Sequence, residues 1–164
     1  MEVFNKICAL LDEYEVTYIH KEHEETLTSE ESAKVRGDDL ASGAKAILYK
    51  VQDQFYIFVL AADQRLDTKL IKQYFKHQGL KAKKTRFATA DELKEMTGLV
   101  PGSVPPFGRP ILDFPLYVDP SLLENKFIAF NAGSLTNSLS MSLDDYMKIC
   151  DAKVFDFTKE ATAS

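Results

Sequence analysis

"AKAILYKVQDQFYIFVLAA", residues 44–62, is the stretch whose reading decides the fold class. It holds two strand-like runs, 44–52 and 54–62, and a hairpin through Gln52–Gln54 joins them without the usual Asn-Gly turn signal. The second run is apolar nearly throughout, which predicts a central strand covered on both faces. In the first, strand alternation puts Lys45 on the face of Ile47 and Tyr49, opposite Ala44, Ala46 and Leu48. A lysine on a mainly apolar face either snorkels to the edge or holds an anion.

Working outward, Val3, Phe4, Ile7, Leu10, Leu11 and Tyr14 recur at helical spacing, so residues 1–15 read as an N-terminal helical segment. "VTYIHKEH" (16–23) reads as a strand. "TSEESAKVRG" (28–37) reads as a helix with Thr28 as N-cap, Glu31 as its capping-box partner and Gly37 as the stop. Asp67–Gln78 is helical, with Leu70, Ile71, Tyr74 and Phe75 turned inward. A short strand (83–88) leads to a helix capped by Thr89 with Glu92 three residues on, ending at Gly98. Strand-like runs follow at 114–119, 126–133 and 138–142. A helix capped by Ser142 covers 142–150, a last strand covers 152–157, and 158–164 reads as a frayed tail. Hairpins and helices in this irregular order predict an α+β single domain spanning 1–164 rather than a wound βαβ series.

Composition narrows the function classes. The 164 residues are 45% hydrophobic and 27% charged, ordinary for a globular chain with a core. Cys8 and Cys150 lie far apart with no C-x-x-C spacing, which excludes a recognisable zinc site and a disulfide-rich scaffold. Their apolar neighbours predict buried thiols in a reducing cytosol, and hence a cytoplasmic protein. The acidic N-terminal helix does not read as a signal peptide, and no apolar run is long enough to span a membrane. The net charge of −5 argues against a uniformly basic nucleic-acid binder. Between Arg65 and Arg109, however, ten Lys/Arg face four Asp/Glu, a local +6 in a chain otherwise at −11. Lys69, Lys72 and Lys76 share a helix face, and Lys81, Lys83, Lys84 and Arg86 follow. Such a run is either a solvated face or a backbone-phosphate surface whose binding weakens as salt rises.

Side-chain chemistry is sparse. His20 and His23 lie three apart in a strand-like stretch and so point to opposite faces, and His77 sits at an exposed helix end. All three are read as non-catalytic. The chain has no G-x-S-x-G elbow, no Walker motif, no G-x-G-x-x-G and no suggestive carboxylate pair. What stands out is "TGLVPGSVPPFGR" (97–109), with three of the seven glycines, three of the six prolines and one charge, Arg109. It is a rigid connector, a proline-rich ligand mimic, or a preorganised loop whose backbone approaches a ligand. A loop of the last kind stabilises an oxyanion or positions water without a reactive side chain.

Three segments, "GAKAILYK" (43–50), "FATADELKEMTGLVPGSVPPFG" (87–108) and "NAGSLTNSLSMSLDDY" (131–146), together resemble the YbaK/prolyl-tRNA synthetase-associated editing domains, from about Val16 to Phe155. The resemblance implies a strongly curved, barrel-like mixed sheet packed with helices. It also implies a free-standing hydrolase that deacylates mischarged aminoacyl-tRNA, commonly on tRNA for proline, with neither metal nor other cofactor. Lys45 matches the family lysine thought to hold the phosphate of the terminal adenosine. Gly102, Ser103, Val104, Pro105 and Pro106 match the G-x-x-x-P loop, and Gly133 matches a glycine at the pocket wall. By the same resemblance, backbone groups and the substrate's own ribose hydroxyl orient the water. Asn131, Ser134 and Asn137 are candidate pocket or rim residues. "PGSVPPFG" and "NAGSLTNS" depart from the cysteine-specific deacylases and place the chain in another branch.

These features are compatible with three functions. The first is a trans-editing deacylase whose tRNA-binding surface is Lys69, Lys72, Lys76, Lys83, Lys84 and Arg86. The second is a non-catalytic tRNA or aminoacyl-binding module docked on a synthetase. The third is a small-molecule acyl-ester hydrolase. The expected partners are aminoacyl-tRNA and an associated synthetase, with no DNA or membrane partner, and the chain is expected to be a monomer or weak homodimer.

Overall fold

The structure is a computed structural model describing residues 1–25, 28–37 and 39–161. Its centre is the expected hairpin, β2 (Ala44–Val51) and β3 (Gln54–Ala61), paired antiparallel from Ala44↔Ala61 to Val51↔Gln54. The turn closes with Gln52 at φ 57°, so a non-glycine residue takes the left-handed position where Asn-Gly would be expected. On β3, Tyr56 to Ala61 are all buried, as a central strand requires.

Around this hairpin lies a five-stranded mixed sheet in the order β5-β2-β3-β6-β9. Here β5 is Thr85–Phe87, β6 Leu116–Val118 and β9 Ala152–Val154. β6 runs parallel to both β3 and β9. A second, antiparallel sheet has the order β1-β8-β7, with β1 Tyr18–Glu22, β7 Phe127–Asn131 and β8 Asn137–Ser142. The two sheets meet at one isolated parallel bridge, Gly43↔Ala129. The single barrel-like sheet that the resemblance implies is therefore not what is seen; the sheets remain open. Edge strands explain this: β1 is exposed beyond Tyr18 and ends in Lys21 and Glu22, while β5 and β9 are only three residues long.

Local signals place the helices well. α1 (Glu2–Glu13) buries Phe4, Ile7 and Leu11. α2 (Ser29–Arg36) is capped by the Thr28 hydroxyl, which accepts from the Glu31 N–H, and ends at Gly37 in the left-handed region. α3 (Thr68–His77) is capped by Asp67 and buries Ile71 and Phe75. α4 (Ala90–Thr97) starts with a full Thr89–Glu92 capping box, and α5 (Leu143–Ile149) is capped by Ser142.

The C-terminus departs from expectation. Thr158–Glu160 is no frayed tail but strand β10, antiparallel to β4 (Gln64–Leu66). Asp119, 2% exposed, pins this segment: its carboxylate accepts from the Phe157 N–H, the Thr158 hydroxyl and the Ser121 N–H. Three-residue strands show no readable alternation, and their partner lies ninety-odd residues away. Residues 162–164 of the expected tail lie outside the described residues.

Two apolar clusters flank the β2–β3 hairpin. One gathers Ala44, Leu48, Leu99, Val104, Phe107, Phe130, Leu139 and the α1 residues. The other gathers Tyr49, Tyr56, Phe58, Ile71, Phe75, Tyr117 and Phe157, largely aromatic, under α3.

Candidate active site

The loop after α4 is built from within. Ser103, 2% exposed, folds back on Val100: its hydroxyl donates to the Val100 carbonyl at 2.7 Å and accepts from the Val100 N–H at 3.2 Å. Val104 to Gly108 are buried, and the Pro106 carbonyl accepts from the Tyr146 hydroxyl at 2.6 Å. Phe107 packs edge-on against Phe130 and Tyr146. Pro101 and Gly102 stay exposed, with Gly102 at φ 88°, where a side chain would be strained. The loop is thus a core-anchored shelf with a glycine at its lip, and its one charge, Arg109, pairs with Asp113.

The turn between β7 and β8 grips that lip. The Asn131 amide donates to the Gly102 carbonyl at 2.8 Å, and the Gly133 N–H donates to the Ser103 carbonyl at 2.9 Å. Asn131 Oδ1 accepts from the Ser138 hydroxyl, which also meets His23 Nε2 at 2.7 Å. Asn137 contacts His20 Nε2 at 2.8 Å through Oδ1 and donates to the Ser134 and Thr136 hydroxyls through Nδ2. Gly102, Ser103, Asn131, Gly133, Ser134 and Asn137 therefore form one hydrogen-bonded corner.

His20, His23, Ser138 and Tyr146 lie outside the residues that the sequence singles out for the site. The histidines meet different partners, Asn137 and Ser138, and both brace this corner, His20 from β1 and His23 from the residue just after it. No local motif signals that role, because the partners are more than a hundred residues away.

Lys45 approaches from another side. Alternation and packing place it on the aromatic-cluster face of β2, with Ile47 and Tyr49, whereas the loop packs on the opposite face. Its ammonium donates to the Gln64 carbonyl at 3.2 Å. Burial lowers its pKa, opposed by the charges of Glu30 and Asp63. Two features connect it to the corner. The Gly43↔Ala129 bridge is parallel, so Lys45 and Asn131 each stand two residues beyond it on separating strands. Helix α2 spans both, with Glu30 acting on Lys45 and the Ser32 hydroxyl 3.5 Å from the Asn131 amide. Helix α2 thus links a half-buried cation on one side with the main-chain groups and amides of the corner on the other.

The model of the family described as "Aminoacyl-tRNA editing domain" matches residues 23–149, a span containing Lys45, the 97–109 loop and the turn between β7 and β8. The chain belongs to that family. It is 34% identical over 162 residues to the multifunctional Ser/Thr-tRNA deacylase ProXp-y of Escherichia coli strain K12, covering 95% of this chain and 93% of the relative. It is 30% identical over 129 residues, 78% of each chain, to the uncharacterized protein YwhH of Bacillus subtilis strain 168. Among solved structures, one described as a trans-editing enzyme for prolyl-tRNA synthetase aligns with a TM-score of 0.79 at 21% identity, covering 97% of this chain and 98% of the other. A hypothetical protein aligns at 0.80 with 25% identity, over 94% and 99%.

Within this editing domain Gly133 has a second, structural reason to be glycine. A Cβ there would stand 2.8 Å from Val3 Cγ1, so the missing side chain is where α1 docks. The residues of the expected basic surface differ in exposure. Lys69, Lys76, Lys83 and Lys84 are exposed and Lys72 is half-buried. Arg86 is held by Glu92 through two bonds of 2.6 and 3.0 Å, which together with the Thr89 cap pull the Glu92 carboxyl down to about 2. The guanidinium is thus largely committed within the protein. No helix among the described residues is long and apolar enough to cross a membrane.

Proposed function

We propose that this editing domain is a trans-acting hydrolase that deacylates mischarged tRNA. The observation that carries the reading is the 34% identity to a Ser/Thr-tRNA deacylase along 95% of the chain. The residues of the corner and Lys45 support it chemically. Lys45 takes the phosphate of the terminal adenosine, an anion that offsets the cost of burying its ammonium. The Gly102–Pro106 shelf and Gly133 present backbone groups to the ester, held in advance by Asn131 and Tyr146.

A water attacks the ester carbonyl carbon, and the bond from that carbon to the ribose oxygen breaks. The water's proton passes to the departing ribose oxygen by way of the neighbouring ribose hydroxyl, leaving a free amino acid and a tRNA with both hydroxyls restored. The chain's residues position and polarise, and no side chain need act as base. Small or hydroxylated amino acids suit a pocket rimmed by Ser134 and Asn137, and the tRNA for proline is the first tRNA to examine.

The test is deacylation of tRNAs mischarged with Ala, Ser, Thr or Cys. Turnover of at least one, weakening as salt rises, is expected. Binding without turnover across the panel would instead make the protein a recognition module. Equal hydrolysis of free aminoacyl esters, insensitive to salt, would make it a small-molecule esterase.

A further inference from the structure

The face of the five-stranded sheet that carries Lys45 ends in an aromatic ring that the proposed chemistry does not use. Phe87, the last residue of the edge strand β5, is 59% exposed, although burying it would be favourable. It is nevertheless held firmly. Phe87 lies directly opposite Tyr49, whose ring meets it edge-on at 5.3 Å and 88°. Tyr49 is itself buried, edge-on to Phe58, with its hydroxyl donating to Thr85. The segment 81–87 carries the exposed Lys81, Lys83 and Lys84, with Arg86 paired to Glu92, and Gln52 Oε1 holds the main-chain N–H groups of Lys83 and Lys84. A fixed, exposed ring among cations is the arrangement that binds single-stranded nucleic acid: phosphates meet the lysines and a base stacks on the ring.

Position fits as well. Directly paired residues share a sheet face, so Phe87, Tyr49 and Lys45 lie on one side. Four residues of β2 separate Tyr49 from Lys45, about 13 Å at strand rise. We propose that Phe87 is the stacking platform for one of the unpaired bases preceding the terminal adenosine of tRNA, with Lys83 and Lys84 on the adjoining phosphates. The assignment rests on the deacylase reading, with Lys45 on the terminal phosphate.

The experiment compares Phe87→Ala, Phe87→Leu and Phe87→Tyr with wild type on two substrates. One is an intact mischarged tRNA, and the other is the aminoacylated terminal adenosine 5′-phosphate alone, which lacks the stacked base. Loss of stacking should raise KM for the tRNA about tenfold in the Ala and Leu variants, leave kcat unchanged and leave the small substrate unaffected. Phe87→Tyr should behave as wild type. Unchanged kinetics of Phe87→Ala on tRNA would overturn the proposal. So would equal losses on both substrates in a protein of normal unfolding temperature, or rescue by Leu as complete as by Tyr, which would point to an apolar protein partner. Affinity for uncharged tRNA, measured on the same variants, reads the platform even if wild type hydrolyses no ester. A failed deacylase reading is thus told apart from a failed platform.

Discussion

The Asn131 side-chain amide donates to the Gly102 carbonyl at 2.8 Å, joining two segments 29 residues apart and fixing the lip of the loop. Asn131→Ala leaves the exposed Gly102 carbonyl to solvent and the buried Ser138 hydroxyl with His23 as a partner, so the fold should lose little, while the lip loses its register. A fall in kcat of about tenfold is expected, with an unfolding temperature within a few degrees of wild type. Asn131→Asp should fare no better, since a carboxylate cannot donate to that carbonyl. Single-turnover deacylation beside thermal unfolding checks both.

Gly102 sits at φ 88°, and a Cβ there would come within 3.3 Å of Leu135 Cδ2. Gly102→Val should cost about 1–2 kcal/mol from the left-handed backbone alone. It should reduce turnover by about 10²-fold, because the lip must move to relieve the strain. Pro106→Ala keeps the carbonyl that Tyr146 engages, so it should loosen the loop and slow turnover more than it unfolds the chain. Denaturant midpoints set against kcat separate the two effects.

Lys45 has its pKa lowered by burial from the ordinary lysine value of 10.5. The charged form is therefore a liability to the fold below the lowered pKa, a liability relieved as pH rises through it. Lys45→Met should unfold at a higher temperature than wild type at neutral pH yet lose about 10²-fold in activity, trading function for stability. Affinity for tRNA should fall on the alkaline side at a lower pH than an ordinary lysine would give, and Lys45→Arg should move that limb upward. Full activity in a folded Lys45→Ala protein would remove the lysine from the site.

Asp119 accepts three hydrogen bonds in a buried setting and ties β10 into place. Asp119→Ala strands the Phe157 N–H and the Thr158 hydroxyl, at a cost of about 3 kcal/mol. Asp119→Asn keeps one acceptor and should cost less. Chemical denaturation, with amide exchange at Phe157, reads the loss directly.

Burial pushes the Cys150 thiol up to about 12, and Cys8 is raised as well. Thiolate chemistry at neutral pH is therefore suppressed at both positions. Alkylating reagents should modify the native protein slowly, as followed by mass spectrometry, and a Cys8→Ala, Cys150→Ala double variant should deacylate at wild-type rates.

By itself the sequence determined the helices and the central hairpin, because their signals are local. A capping hydroxyl and its N–H partner lie three residues apart at Thr28, Thr89 and Ser142, and the alternation of β2 and the apolar run of β3 lie within single strands. It also placed Lys45, the Gly102–Pro106 loop and Gly133 in one family-like set. Only the tertiary structure decided that the sheets stay open, that Thr158–Glu160 is a strand, and that Lys45 approaches from the face opposite the loop. It alone showed that His20, His23, Ser138 and Tyr146 brace the corner. The contacts of His20, His23 and Tyr146 join residues 40 to 117 positions apart, and such pairings leave no periodicity in either partner's own sequence.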